Sequence, residues 1–224
     1  MNRQLAFGAM DTEGFSAEYY AALLAGLIHK LNNIITVLSG HSGLLLLEPN
    51  LKGDTLQAVQ QISRAALHLS RCIDEAAIMS RVGPLSLEPV ALSELFESLV
   101  SPPGLSISKQ FDEQVRVMAD RRKLKEVLEE ILRNASEANA KSAVVVADIR
   151  AGSVEIRLRD DGHGIKAPVR PRVFDPFFTT RKQEEKFGLG LFRAKGDLAR
   201  MKGQIFVESD GKTYTQILVR LPTG

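Results

Sequence analysis

Apolar residues recur at helical spacing through the first third of the chain. A first stripe falls close to the a and d positions of a heptad, at Leu24, Leu27, Leu31, Ile34, Leu38 and Leu45. A second stripe follows at Leu56, Val59, Ile62, Ala66, Leu69, Ile73 and Ala76. The pattern predicts an antiparallel helical hairpin, and its seam is too long for one chain to bury. We therefore expect a four-helix bundle in a homodimer.

Turn signals set the limits of these two helices. The first helix is predicted from Ser16 to Glu48, because Pro49-Asn50 follows and Lys52-Gly53 completes a short turn. Asp54, with Gln57 three residues later, is predicted to cap the second helix.

The rest of the chain alternates between strand and helix signals. The pattern predicts strands at Leu85–Val90, Ala143–Ile149 and Val154–Leu158, and helices at Leu92–Val100, Arg121–Asn139 and Leu189–Lys202. Asp120 is the predicted cap of the middle helix, and Gly203 the predicted C′ residue of the last. Asp210-Gly211 predicts a hairpin between Gln204–Glu208 and Thr213–Leu221. The sum is an α+β sandwich with one mixed sheet and helices on one face.

Three regions follow from these patterns. Residues 1–15 are predicted to be poorly ordered, 16–83 to form the helical hairpin, and 84–224 to form the sandwich domain, with the boundary at Gly83-Pro84.

Composition narrows the class of protein. Of 224 residues, 44% are hydrophobic and 25% are charged, and 29 basic against 27 acidic residues give a formal charge of +2. This balance argues against nucleic acid as a partner, and the single cysteine, Cys72, excludes an internal disulfide. Polar residues interrupt the longest stretch without charge, Leu31–Leu47, and the amino terminus lacks the apolar segment of a secretory signal. The sequence thus predicts a cytoplasmic protein without a membrane span.

One side of the first helix carries a histidine among small polar residues. His29, Asn32, Asn33 and Thr36 share this side, which continues through Ser39, Gly40 and Gly43. Long charged side chains are almost missing there, although they are usual on the outer side of a bundle. The strip suits a partner that reaches the imidazole, although a histidine with no function is equally compatible with an exposed position.

Three further patterns suggest ligand chemistry. Glu130 and Asn134 lie one helical turn apart, where an amide could bind a metal or a phosphate oxygen. Asp160 ends a strand before Gly162 and Gly164, and a carboxylate there could accept a hydrogen bond from an exocyclic amine, although Asp-Gly pairs also form ordinary turns. Gly188 and Gly190 open a helix whose N–H groups could hold phosphate.

The segment between Gly164 and Gly188 is rich in aromatic residues. Phe174–Phe178 holds three phenylalanines, and hydroxyls and cations follow at Thr179–Lys182. This composition fits a flap with an apolar anchor and a phosphate-facing tip. Simple core packing of the phenylalanines is the alternative.

In combination, the motifs resemble the bacterial sensor histidine kinases of two-component signalling. The likeness covers about Ser16 to Pro222, in the order of a transmitter core: a dimerisation and phosphotransfer hairpin, then a GHKL-type ATP-binding domain. It is carried by segments similar to the family's H box, N box, G1 box, F box and second glycine box, which are His29–Asn33, Leu128–Ala138, Asp160–Gly164, Phe174–Thr180 and Gly188–Leu191.

The resemblance implies a role for each matching residue. His29 would accept the phosphoryl group from Mg-ATP and pass it to an aspartate of a receiver domain, and Asn33 would support dephosphorylation of that receiver. Asn134, assisted by Glu130, would hold Mg²⁺. The remaining positions would contact ATP: Asp160 at adenine, Gly162 and Gly164 around the base, Thr180 in the lid, and Gly188 and Gly190 at phosphate. The residues contain no sensory domain, so a longer chain or a separate sensor partner would supply the signal.

Three positions depart from the family pattern. Lys30 stands where an acidic residue usually follows the phosphoryl-accepting histidine, and a cation cannot act as a carboxylate base. Glu130 replaces an asparagine, as in the ATP-hydrolysing GHKL relatives and the mitochondrial protein kinases, where it is a general base. Lys186-Phe187 replace the leading glycine of the second glycine box. Two alternatives follow: a non-catalytic phosphotransferase or scaffold, and an ATPase with Glu130 as base.

Overall fold

The computed structural model describes residues 17–80, 83–180 and 187–224. The chain divides into two compact units, Met1–Val82 and Gly83–Gly224, and each is described by itself. The prediction for residues 1–15 lies outside the described residues, as do Ser16 and the Arg181–Lys186 part of the predicted lid.

The first unit is a helical hairpin, as the two apolar stripes predicted. Helix α1 spans Ala17–Leu46 and helix α2 spans Gly53–Ser80. Because α2 begins at Gly53, Asp54 lies inside its first turn and not at the predicted cap position, although a carboxylate there still favours the helix dipole.

The contact between the two helices does not use the predicted stripe of α1. The buried α1 residues are Ile35 and Ser42, seven positions apart, and those of α2 are Val59, Ala66 and Ile73. The predicted stripe is 40–57% exposed, at Leu24, Leu27, Leu31, Ile34, Leu38 and Leu45. One apolar face therefore packs within the hairpin, and a second stays open on the outside.

Helix α1 also meets the length and composition of a membrane span. Among the described helices, Ala22–Leu46 alone passes this test, and only 6% of its most apolar window is buried. The sequence-based prediction of no span depended on polar interruptions, which a helix can place on one side. Buried core helices of soluble proteins and signal sequences have the same length and composition.

The second unit is an α/β sandwich. Its strands are β1 (Glu88–Ala91), β2 (Ser106–Gln110), β3 (Arg116–Ala119), β4 (Ser142–Arg150), β5 (Ser153–Asp160), β6 (Gln204–Ser209) and β7 (Thr215–Pro222). Its helices are α3 (Leu92–Glu97), α4 (Arg121–Glu137) and α5 (Gly190–Arg200), with a short 3-10 turn at Arg170–Arg172. The core between helices and sheet is formed by residues of this unit, among them Leu124, Leu128, Ile156, Leu198 and Val219.

The strands form two sheets, and not the single sheet that was predicted. The larger has the order β2-β4-β5-β7-β6, in which β2 and β4 are parallel and the other pairs are antiparallel. Strands β1 and β3 form a separate antiparallel pair. The sequence patterns missed β2 and β3, because β2 is a mostly exposed edge strand with Ser, Lys and Gln, and β3 has only four residues.

Of the two predicted helix ends, the cap of α4 is confirmed and the glycine after α5 is not in the predicted conformation. Asp120 caps α4, since its Oδ1 accepts the Lys123 N–H at 3.0 Å. At the end of α5, the left-handed residue is Lys202, with φ 59°, and not Gly203. Gly203 is needed for another reason: a Cβ there would lie 2.7 Å from the carbonyl oxygen of Arg220.

Candidate functional site

Helix α4 carries the first part of the site beside its buried stripe. Leu124, Val127, Leu128 and Ile131 face the core, and Glu130, only 8% exposed, lies at the edge of this stripe. Asn134 follows one turn later and is half-buried. Its Nδ2 donates to the Glu130 carbonyl at 2.9 Å and to Glu130 Oε1 at 3.0 Å. The amide oxygen of Asn134 is therefore the atom of this side chain left to face a ligand.

Glu130 also joins α4 to the start of α5. Gly190, the first residue of α5, packs so closely on the carboxylate that a methyl group at this position would overlap Oε1. Arg133 forms an ion pair with the other carboxylate oxygen, Oε2. The structure thus brings together the Glu130–Asn134 pair and one of the predicted phosphate-binding glycines.

A small recess continues from this contact between α4 and α5. Its lining holds three acidic side chains and one arginine, and consists of Glu126, Val127, Glu130, Gly190, Arg193, Ala194 and Asp197. Sequence reasoning missed Glu126, Arg193 and Asp197, because each occupies an ordinary helical position and only the packing of the two helices places them together.

Asp160 ends β5 as predicted, and it is buried. Its Oδ1 accepts the Gly162 N–H at 2.9 Å, and Thr215 lies opposite it in the β5–β7 register. Burial raises the pKa of this carboxyl, while backbone hydrogen bonds from Gly162 and Thr215 act in the opposite direction. Thr215 was not predicted as a site residue, because the pairing of β5 with β7 alone places it there.

The residues after Asp160 are tied to α4 and β4. Asp161 Oδ1 accepts the N–H groups of Lys141 and Ser142 at 2.7 and 2.9 Å, and these bonds hold the pKa of the Asp161 carboxyl below its usual range. Gly162 lies against Ala138, where a Cβ would be 2.9 Å from the Ala138 carbonyl oxygen. Asp161 therefore has a structural part in forming the loop that follows Asp160.

The aromatic segment, which was predicted to be a flap, packs against the rest of the second unit at its base. Phe174 is half-buried against the core, with the Lys195 amine 5.8 Å from its ring, and the Arg172 guanidinium lies 4.4 Å from the Phe178 ring. Phe177 is 60% exposed, and Thr180 is also exposed. Gly188 packs directly on the Phe178 backbone. The predicted core packing thus holds for Phe174, while the segment also contacts the glycine pair.

The histidine strip lies in the first unit. His29, Asn33 and Thr36 are exposed, as predicted, whereas Asn32 and Gly43 are half-buried. Thr36 Oγ1 donates to the Asn32 carbonyl at 2.8 Å. The strip is therefore narrower than predicted, and its open part consists of His29, Asn33, Thr36, Ser39 and Gly40.

The side chains of Asn134 and Glu130 fit a Mg²⁺ ion that is bound partly by the protein and partly by the phosphates of a ligand. Within the described residues, no group of three or more His, Cys, Asp or Glu side chains could hold a metal by itself. Asn134 and Glu130 offer one amide oxygen and one carboxylate, and Mg²⁺ commonly takes one or two protein ligands together with substrate phosphates.

Sequence comparison gives the class of the second unit. Residues 119–224 match the family of histidine kinase-, DNA gyrase B-, and HSP90-like ATPases. The fold and this match define the unit as a GHKL ATPase-like domain, with the helical hairpin before it.

Curated relatives cover most of the chain. Sensor histidine kinase ZraS of Klebsiella oxytoca is 28% identical over 198 residues, which span 84% of this chain and 42% of ZraS. Signal transduction histidine-protein kinase AtoS of Escherichia coli (strain K12) is 28% identical over 221 residues, 90% of this chain and 35% of AtoS. The chain thus spans less than half the length of these relatives.

Solved structures share the fold. Full-length ShkA in complex with AMPPNP covers 91% of this chain and 46% of its own, with a TM-score of 0.64 and 22% identity. The Acinetobacter baumannii histidine kinase AdeS covers 88% and 98%, with a TM-score of 0.58 and 17% identity. The match of residues 119–224 and the relatives make this chain similar to two-component histidine kinase catalytic cores, and the solved histidine kinase structures share its fold.

Proposed function

We propose that the chain binds Mg-ATP in its second unit, transfers the γ-phosphoryl group to His29, and passes it to an aspartate of a receiver domain. The meeting of Glu130, Asn134 and Gly190 at one point of the fold carries this proposal, because it joins a metal-binding amide to a helix amino terminus. AMPPNP in the complex with ShkA supports a nucleotide as the ligand.

The proposed binding roles follow the positions of the side chains. Asn134 would hold Mg²⁺ through its amide oxygen, with Glu130 assisting, and the ion would neutralise charge on the phosphates. Asp160 would accept a hydrogen bond from the adenine amine, and Gly162 and Gly164 would leave room for the base. Gly188, Gly190 and Thr180 would face the phosphates.

The phosphoryl step needs a neutral imidazole and an open approach. A ring nitrogen of His29 would attack the γ-phosphorus while the bond to the ADP oxygen breaks. His29 is exposed on α1, which leaves the ring open to a donor and afterwards to a receiver. The protein would act as a cytoplasmic homodimer, with the open α1 stripe against a second copy.

Labelling of His29 tests this proposal. Incubation with Mg-ATP should give acid-labile phosphate on the wild-type chain and none on His29→Ala. His41→Ala is the matched control, because His41 is also exposed on α1 and lies outside the proposed site. Equal labelling of the two histidine variants would overturn the assignment of His29.

The residue after the histidine is proposed to slow this step. Lys30 is exposed and cannot take a proton from the ring as a carboxylate can. We expect slow labelling of the wild type and faster labelling of Lys30→Glu, with Lys52→Glu in the exposed turn as control. Rapid labelling of the isolated wild type would contradict this expectation.

Asn33 is proposed to orient water toward a phosphorylated receiver. It lies one turn from His29 on the same exposed side. Asn33→Ala should reduce receiver dephosphorylation and leave ATP affinity unchanged, with Ser39→Ala as control. Equal loss of both properties would contradict this role.

One observation favours a second function, ATP hydrolysis with Glu130 as base. The Glu130 carboxylate is nine-tenths buried beside Asn134, in a position where it could hold a water molecule next to phosphate. This function predicts phosphate release that His29→Ala does not change and Glu130→Gln abolishes. Labelled His29 without phosphate release would exclude it.

A further inference from the structure

The Ser209 hydroxyl uses its entire hydrogen-bonding capacity at the end of β6. It is 4% exposed, and Oγ accepts the N–H groups of Ile165 at 2.8 Å and Gly211 at 3.1 Å. It donates to the Tyr214 carbonyl at 2.5 Å. A serine hydroxyl has one donor and two acceptor positions, so this side chain has no capacity left for a ligand.

These bonds join two parts of the chain that are far apart in sequence. Gly211 and Tyr214 belong to the turn between β6 and β7, and Ile165 follows the loop that begins at Asp160. Gly164 lies directly against this turn with φ 67°, and a Cβ there would be 2.7 Å from the Lys212 nitrogen and 2.9 Å from Ser209 Oγ. The end of the Asp160–Gly164 loop therefore packs against the turn between β6 and β7.

The other end of the same loop has its own attachments. Asp161 holds it to the start of β4, and the His163 N–H donates to the Ala138 carbonyl at 3.1 Å. Beyond Gly164, the Ser209 hydroxyl holds the loop by accepting the Ile165 N–H. The turn itself is stabilised separately, since Asp210 accepts the N–H groups of Lys212 and Thr213 and the Thr213 hydroxyl.

We propose that Ser209 is a positioning residue for base selection: it fixes the Asp160–Gly164 loop so that Asp160 meets the 6-amino group of a purine nucleotide. This inference rests on the proposed function, in which Asp160 accepts a hydrogen bond from adenine. Loss of the hydroxyl leaves the Ile165 N–H without its acceptor, and the loop moves away from the turn.

The test compares two nucleotides on the full chain in the presence of Mg²⁺. ADP carries the 6-amino group, and purine riboside 5′-diphosphate lacks it. Calorimetry should show about a tenfold loss of ADP affinity in Ser209→Ala, the size of one misplaced hydrogen bond, and unchanged affinity for the purine analogue. Thr213→Val is the matched control, because it removes a hydroxyl from the same turn and leaves the Ser209–Ile165 bond intact. It should keep the wild-type preference.

Each outcome separates the inference from the function on which it rests. If the wild type binds both nucleotides equally, the adenine contact of Asp160 is wrong and Ser209 has no selection to support. If the wild type prefers ADP and Ser209→Ala keeps that preference, the role of Ser209 alone is wrong. Equal weakening of both nucleotides would mean a merely structural role.

Gly164→Ala tests the same contact from the loop side, should Ser209→Ala fail to fold. A methyl group there would collide with the turn at Lys212 and Ser209, and it also strains the positive φ. Because Gly164 itself lies at the proposed base site, we expect both nucleotides to bind more weakly and ADP to lose more affinity than the purine analogue. Unchanged preference in this variant would overturn the proposal.

Discussion

The Asp160 carboxyl has opposite effects on folding and on the proposed binding. Its burial disfavours the ionised form, whereas the adenine contact needs an acceptor. Burial raises its pKa above the ordinary value, so the folded state holds the proton more tightly than the unfolded state. The stabilisation from this proton is complete below the unfolded pKa and is lost as the pH rises through the folded pKa. Above the folded pKa, the ionised carboxylate therefore costs stability.

Asp160→Asn should remove this cost and at the same time weaken binding. We expect an unfolding temperature at pH 7 equal to or above that of the wild type, together with about a tenfold or greater loss of ADP affinity. Calorimetric titration and thermal unfolding of the same preparations measure both effects. A variant that is less stable and binds normally would show that the carboxylate serves the fold and not the ligand.

The neighbouring Asp161 should respond to pH in the opposite sense. Hydrogen bonds from the Ser142 N–H and hydroxyl, and from the Lys141 N–H, lower its pKa. The stabilisation is therefore present above the unfolded pKa and is lost as the pH falls through the folded pKa. Asp161→Ala should lower the unfolding temperature at pH 7, and the difference from wild type should shrink below about pH 4.

Glu113→Ala is the control for this pH series, because Glu113 is an exposed carboxylate of the same unit. It should give unfolding temperatures close to wild type at every pH. A difference for Asp161→Ala that does not change with pH would mean that packing, and not the charge, is responsible.

At the level of the helices, α5 contains two glycines with opposite surroundings, one at its first residue and one in its interior. Gly190 packs on the Glu130 carboxylate, while Gly196 has open space around the position of a Cβ. Gly190→Ala should displace the Glu130 carboxylate from its place beside Asn134 and lower ADP affinity about tenfold or more. Gly196→Ala should instead stabilise the domain by about 0.5–1 kcal/mol, because alanine favours a helix interior.

Thermal unfolding and nucleotide titration of both variants check this pair. Equal ADP affinity in Gly190→Ala and the wild type would show that the Glu130–Gly190 contact has no part in binding.

The exposed apolar stripe of α1, from Leu24 to Leu45, is not covered by any other part of the described chain. Six apolar residues at heptad spacing face outward there, among them Leu31 and Leu38. Leu31→Glu and Leu38→Glu together should convert a dimer into monomers in sedimentation experiments, because buried charges in an apolar seam are costly. Val37→Glu is the control, since Val37 is an even more exposed apolar residue of α1 but lies outside the stripe. Dissociation by the control alone would place the interface on another face.

For the whole molecule, the division into two units has a thermodynamic consequence. The hydrophobic core of the second unit contains residues from Val90 to Leu221 and, among the residues that the structure describes, none from the helical hairpin. A chain that begins at Gly83 should therefore unfold cooperatively and bind ADP with the affinity of the full chain, but it cannot be labelled at His29. Loss of ADP binding in this fragment would mean that the hairpin contributes to the nucleotide site.

Sheet topology explains which parts of the site the sequence could not predict. The pairing of β5 with β7 places Thr215 opposite Asp160, and the packing of α5 on α4 places Gly190 on Glu130. Both contacts join residues more than 50 positions apart. Periodicity describes how a segment exposes its own faces, and it contains no information about the register of a distant strand.

The sequence by itself determined the helical hairpin, the order of most strands and helices, the cap of α4 at Asp120, and the motifs that resemble histidine kinases, because these depend on local spacing and side-chain chemistry. Tertiary structure alone decided which apolar face of α1 packs within the hairpin, where the polar edge strand β2 pairs, and that Ser209 holds the loop after Asp160. Those features depend on packing and hydrogen bonds between distant segments, which form only when the whole domain has folded.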